Sequence, residues 1–351
     1  MTPRERIIAT INRQPTDRRP VDLWCTPEVL DTLRDYTSVQ DELALYGALD
    51  IDKIVWIFPG YNGRYFDPND SGEITMWGVP TRMVKAGLAT YQEYINPPLA
   101  GYDDPAQLAD YPSWPDPDNF DYAGAIALAD KARSCNFATI GPWISHFEIY
   151  CQMRGIENAL LDTLAYPEFL DATLERIDAI QTVMLERFLQ ELGDRIDMIF
   201  ISDDMAMQDR LLVPPETWDT FFRSRLKGWC DLIHRYGKKV FYHTDGAAAP
   251  LIPGLIECGI DILNPIQHIC PGMDTAKLNE HFGDKVIFHG GIDNQHVLPH
   301  GTADDVVAET LACLETLGKG GGYICCSCHN AQAGTPVENI LAMVETVKNF
   351  T

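Results

Sequence analysis

The chain has 351 residues, 46% of them hydrophobic, and a formal net charge of −24 from 51 acidic and 27 basic side chains. A field of that sign repels nucleic acid and anionic membrane surfaces, so neither is expected as a partner. No apolar run approaches the roughly 18–20 residues that cross a bilayer, and the length suffices for one large core or for two domains.

The opening stretch "MTPRERIIATINRQP" has a polar amphipathic helix pattern. It lacks the apolar core and small-residue cleavage site of a secretory signal, so a cytoplasmic location is expected. The ten cysteines then read as thiols or metal ligands rather than a disulfide scaffold. Short, nearly continuous apolar runs follow: "VDLW" (21–24), "KIVWIF" (53–58), "FATIG" (137–141), "IDMIFI" (196–201), "KVFYH" (239–243), "DILNP" (261–265), "VIFHGG" (286–291) and "GYICC" (322–326). Such runs suit parallel strands buried on both faces. Helix-length amphipathic segments separate them. In 167–192, Leu170, Leu174, Ile177, Met184, Phe188 and Leu192 mark one face, with Pro167 in the first turn and Gly193 just past the end. "PPETWDTFFRSRLKGWCDLIHRYGKK" and "TPVENILAMVETVKNF" supply further helices.

Eight strands in β–α alternation predict a (β/α)8 TIM barrel forming a single domain over 1–351. An open doubly wound sheet is the alternative, but no GxGxxG follows the first strand. Residues 59–120, rich in Gly, Pro, Asp and Tyr, break the rhythm. They read as an insertion between the second and third strands that covers the barrel mouth, with "GEITMWGV" and "TRMVKAG" forming a hairpin.

Barrel chemistry sits at the C-terminal ends of the strands. Five successive runs end in metal-competent or polar groups: Asp203 and Asp204; His243 and Asp245; Asn264, Gln267 and His268; His289 and Asp293; Cys325, Cys326, Cys328 and His329. Any one of these has a bland alternative, such as a helix cap or a packed histidine. Five adjacent strand ends carrying them together point to a site. Imidazole with thiolate or carboxylate suits zinc, and a catalytic zinc site has three protein ligands and an open position. His243 and Asp245 lie two apart on extended chain, so they face the same way. His329 or Cys328 is the third candidate.

Nearly end to end, the chain resembles the uroporphyrinogen decarboxylase superfamily. The matching stretches are "TPRERIIATINRQPTDRRPVDLW", "ISDDMAMQDRLLVPPETW", "HTDGAAAPLIPGLIECGIDILNPIQ", "FHGGIDNQHVLP" and "GGGYICCSCHNAQAGTPVENILAMV". Decarboxylases of that superfamily carry an arginine-rich stretch after the first strand; here "VDLWCTPEVLDTL" has no arginine until Arg34. The resemblance therefore lies with the branch of zinc- and corrinoid-dependent methyltransferases. In that branch zinc is held by an "HxC" motif and a later cysteine. Here His243-Thr244-Asp245 replaces the first, and counting back from Thr335-Pro336 puts His329 at the second, beside Cys328.

The resemblance implies a methyltransferase moving a methyl group from a small methylated donor, favoured as a methoxylated aromatic or other methyl ether, to the Co(I) corrinoid of a partner protein. Zinc held by His243, Asp245, His329 or Cys328 would act as Lewis acid. Asp203 or Asp204 would orient substrate or donate a proton, while Gln267, Trp143 and Tyr61, with Trp56, Tyr65 and Trp77, would contact it. The sequence does not fix the oligomeric state; a homodimer is one option. The rivals are a metal-independent lyase of the decarboxylase kind and a metallohydrolase.

Overall fold

The computed structural model describes residues 1–63 and 74–350. Seven parallel strands make one sheet in sequential order: β1 (Ile54–Trp56), β2 (Ala138–Ile144), β3 (Met198–Ser202), β4 (Lys239–His243), β5 (Ile262–Ile266), β6 (Ile287–Ile292) and β7 (Tyr323–Ser327). The first predicted strand, 21–24, forms no regular ladder. Residues 20–25 close the ring through single contacts instead. Val21 bridges Cys325 and Cys25 bridges Ala331, both parallel. On the other flank Asp52 N–H donates to the Val21 carbonyl at 2.7 Å. Two buried carboxylates explain the irregularity, because they take N–H groups that a ladder would use. Asp52 accepts from Val21 N, and Asp22 accepts from Leu23 N and Ile54 N. The outcome is a (β/α)8-type barrel with one irregular stave.

The two-residue period of the strands sorts side chains between interior and helix layer. Met198, Phe200, Phe241, Ile262, Ile324 and Cys326 form an inner cluster with Trp24. Their neighbours Ile199, Ile201, Val240, Tyr242, Tyr323 and Cys325 belong to the outer core. Ile7 and Ile11 of the N-terminal helix Pro3–Ile11 join the inner cluster, and Thr2 and Glu5 cap that helix reciprocally. The helix Pro167–Leu192 has the predicted bounds and buried face. The segment read as one helix from 214 is two, Pro215–Phe221 and Arg223–Arg235. Phe221 and Phe222 are both buried. Consecutive residues lie about 100° apart on a straight helix, so a break brings both inward.

The 59–120 segment is closed at its base, where Gly60–Tyr61 pairs antiparallel with Phe120–Asp121. The hairpin differs from expectation. Thr81–Ala86 pairs with the following Ala89–Tyr94 around Gly87, not with the preceding stretch, to which only the Ile74–Pro80 bridge connects. The earlier stretch falls partly, and Tyr65 wholly, outside the described residues. Tyr91 Oη donates to Gln332 Oε1 at 2.6 Å and Thr90 N–H to Glu28 Oε1 at 3.2 Å, so the hairpin touches the loop that follows β7 and the first turn of the helix Pro27–Thr37. Buried Arg154 anchors the far end. It forms a two-point pair with Asp162, at 2.6 and 3.0 Å, and donates to the carbonyls of Leu99, Ala100 and Tyr102.

Candidate metal centre and substrate cavity

His243 ends β4, pointing inward two residues after Phe241, and Asp245 follows in the same phase. His329 arrives from the loop after β7. One ligand atom from each of these three side chains lies within 4.8 Å of the others. The structure thus brings together residues separated by 86 positions, from His243 to His329, on the rim predicted from strand ends. Three N/O donors with an open side fit a catalytic zinc centre.

The loop carrying Asp245 is held tightly. Asp245 N–H donates to Asp204 Oδ1 at 2.9 Å, and Gly246 N–H to Gln267 Oε1 at 3.0 Å. Gly246 has φ +83°, and a Cβ there would collide with the Met207 carbonyl, so only glycine fits. Burial and the nearby Asp204 charge raise the Asp245 pKa, while His243 opposes this. Burial pulls His243 down, but the charges of Asp245 and Asp204 outweigh it and leave its pKa raised. Burial lowers His329. The cluster therefore has two imidazoles beside two carboxyl groups, a combination that a divalent cation would neutralise.

Two cavities meet at this cluster. One, of about 530 Å³, is walled by Trp24, Trp56, Phe58, Trp143 and Phe200, with His243, His329, Asp204 and Glu148 at its polar end. The second, of about 390 Å³, lies on the side of Asp245 and His329 and is lined by amide side chains, among them Gln208, Gln267, Asn294 and Gln332. His329 borders both.

Other sequence candidates fall differently. Asp204 lines the aromatic cavity, 3.7 Å from His243 Nε2. Asp203 does not: its carboxylate is buried and accepts from Ser145 Oγ at 2.7 Å, Phe147 N at 2.6 Å, and His146 N and Glu148 N at 3.3 Å. With those donors it secures the start of the helix Phe147–Arg154. Cys328 turns its thiol to the Ile266 carbonyl at 3.2 Å, borders the amide-lined cavity, and takes no part in the three-residue cluster. Burial raises its pKa, which disfavours the thiolate a metal needs. Gln267 pairs with Gln208 at 2.8 Å in the amide-lined cavity rather than the aromatic one. Trp143 and Trp56 wall the aromatic cavity. Tyr61 instead packs on Phe120 at 5.1 Å, and Trp77 is buried in the insertion against Trp114. Asp293 caps its own loop through Gln295 N, and His268 pairs with Glu309 at 2.6 Å.

Glu148 is the cavity residue that strand-end reasoning missed. It sits in the first turn of the helix Phe147–Arg154 and accepts from Ser202 Oγ at 2.5 Å. Burial, reinforced by the charge of Asp204, pushes its pKa up to about 8. It is thus an acid at neutral pH, placed in the aromatic cavity. The signal was hidden because β2 runs on through Pro142 to Ile144. The apolar pattern read as ending at Gly141 left the true rim of that strand unread.

A parallel barrel with carboxylate, imidazole and aromatic groups gathered at its C-terminal mouth is an enzyme scaffold. Comparison with known proteins gives the family. The model of the uroporphyrinogen decarboxylase (URO-D) family matches residues 86–350, and the chain belongs to that family. Uroporphyrinogen decarboxylases from strains of Coxiella burnetii are 28% identical over 78 residues, which is 22% of this chain and 21% of theirs. The matched stretch thus spans about a fifth of those curated relatives. A solved methyltransferase from Methanosarcina mazei aligns over 100% of this chain and 99% of its own, with TM-score 0.69 and 19% identity, and so shares the fold.

Proposed function

We propose that this protein is a methyltransferase that moves a methyl group from a small methylated donor, a methoxylated aromatic being favoured, to the Co(I) corrinoid of a partner protein. The observation that carries this reading is the convergence of His243, Asp245 and His329 on an aromatic cavity that also holds Glu148, whose pKa burial raises to about 8. Zinc held by these three side chains would supply a Lewis acid for the donor oxygen. The ring of the donor would lie against Trp24, Trp56, Trp143 and Phe200, whose flat apolar faces suit an aryl group. Ser202 holds one oxygen of Glu148, which leaves the other to present its proton to the cavity. The corrinoid of the partner would supply the nucleophile that takes the methyl group, and Glu148 would give its proton to the departing donor oxygen. The amide-lined cavity on the other side of His329 offers the acceptor a separate approach.

A decarboxylase reading fits less well. Its polyanionic tetrapyrrole needs a cationic cradle. Here, among the described residues, the cavity offers Glu42, Glu148 and Asp204 against one lysine, Lys53, itself 3.4 Å from Asp22. The test is an anaerobic assay of methylated compounds with Co(I) cobalamin, paired with metal analysis. Methyl-cobalamin formation from aryl methyl ethers, with close to one zinc per chain, is expected. Zinc well below one per chain after metal-replete purification, or release of product without any acceptor, would overturn it.

A further inference from the structure

Behind the cluster runs a line of buried polar side chains that the proposed chemistry does not use. His243 Nδ1 meets Asn264 Oδ1 at 2.5 Å. Asn264 Nδ2 meets His289 Nδ1 at 2.7 Å, and His289 Nε2 meets Asp22 Oδ2 at 3.2 Å. Asn264, His289 and Asp22 are all 0% exposed. They come from β5, β6 and residues 20–25, so three separate staves build one line ending at β4.

The protons along this line follow from its far end. Asp22 is surrounded by donors: Leu23 N at 2.8 Å, Ile54 N at 3.2 Å, Trp24 Nε1 at 3.0 Å and the Lys53 ammonium at 3.4 Å. Such a setting holds a carboxylate, which only accepts. His289 must then donate from Nε2, so its Nδ1 is an acceptor when the ring is neutral. Asn264 meets that acceptor with its NH2 group, which turns its carbonyl oxygen to His243. The neutral His243 ring must therefore carry its proton on Nδ1, which leaves its Nε2 bare. Nε2 is the nitrogen on the side of Asp204.

We infer that Asp22, His289 and Asn264 are positioning residues that lock His243 in the Nδ1-protonated tautomer, presenting a bare Nε2 as a metal ligand. Metal-bound histidines commonly donate their second N–H to a fixed acceptor, and loss of that partner costs about 10–100-fold in metal affinity. In this chain the acceptor is a neutral amide, whose polarity is itself imposed two residues further back. The assignment rests on the metal reading above. A rival is a second ion held by Asp22, His289 and Cys326, whose candidate ligand atoms also lie within 4.8 Å of one another. The Lys53 ammonium beside Asp22 argues against it, since a cation already occupies that flank.

The test uses the full chain. Asp22→Asn combined with Lys53→Met keeps shape and charge balance but lets the line run either way, because the amide introduced in place of the carboxylate can donate to His289. Asn264→Ser, the second variant, breaks the line while keeping a polar group. Two-bond 1H–15N spectra of zinc-free protein at alkaline pH report the His243 tautomer, and chelator competition reports zinc affinity. Wild type is expected to show protonated Nδ1 and bare Nε2. The double variant should show a mixture or the reverse, and both variants should bind zinc about 10–100-fold more weakly with unchanged far-UV dichroism. A wild-type His243 protonated on Nε2, unchanged zinc affinity in both folded variants, or two zinc ions per wild-type chain would overturn the inference. A wild-type protein with the stated tautomer that binds no zinc would instead sink the metal reading and leave the hydrogen-bonded line standing.

Discussion

Replacing Glu148 with glutamine tests the central electrostatic claim without needing a substrate. Glutamine keeps the shape and can still accept from Ser202 Oγ, but it cannot ionise. Glu148 has its pKa raised from the ordinary 4.5 to about 8 by burial and by Asp204. Between those values the unfolded chain releases a proton that the folded chain retains. The contribution of this group to wild-type stability is therefore fully present below about pH 4.5 and is lost progressively up to about pH 8. At about 1.4 kcal/mol per pH unit, the decline attributable to this one group is of order 5 kcal/mol. Unfolding entropy of about 2.1 cal/mol/K per residue over a chain of 351 residues makes that about 7 °C in Tm. Thermal melts of both proteins in chelator, from about pH 4.5 to 9, should show the glutamine variant gaining on wild type by that amount and then running parallel. A constant difference across the range would refute the buried neutral acid. In the methyl-transfer assay the same variant should be slower by about 10²–10⁴-fold and lose the fall in rate above about pH 8.

Three further outcomes follow from the packing. Arg154→Met strands the buried Asp162 carboxylate and frees the carbonyls of Leu99, Ala100 and Tyr102, so a loss of about 3–5 kcal/mol is expected in denaturant melts. Asp203→Asn turns an NH2 group toward the donors at the start of the helix Phe147–Arg154; it should cost about 1–3 kcal/mol yet leave zinc content unchanged, and loss of zinc at full stability would refute a purely structural role for Asp203. Gly246→Ala collides with Met207 and displaces the loop bearing Asp245, so metal content should fall while His243→Ala and His329→Ala fall at least as far; zinc retained in both histidine variants would refute the ligand assignment.

The barrel and half of its mouth were legible because they depend on local pattern. Continuous apolar runs mark buried parallel strands, and the period of two then fixes which residues face inward, so His243 and Asp245 could be paired in phase from sequence alone. Where side chains supply backbone partners, the pattern fails: residues 20–25 are a stave of the barrel, yet Asp22 and Asp52 take the N–H groups that would have made it regular. Chemistry set by long-range contact was illegible for a related reason. Asp203 and Asp204 are adjacent and chemically alike in sequence. Successive positions on extended chain face opposite ways, so one is sealed under a helix start and the other reaches the cavity. Glu148 reads as an ordinary first-turn helix acid, favourable to the helix dipole and nothing more. It becomes a neutral acid because the fold buries it and β3 brings the Asp204 charge beside it, against the opposing pull of the Ser202 hydroxyl. Asp22 and His289 are 267 positions apart. Nothing in either neighbourhood signals the other, but the closed ring of strands makes them neighbours. Closure thus does more than bury a core: it joins the first stave to the seventh and eighth, and so lets a carboxylate near the start of the chain set the tautomer of an imidazole at its centre.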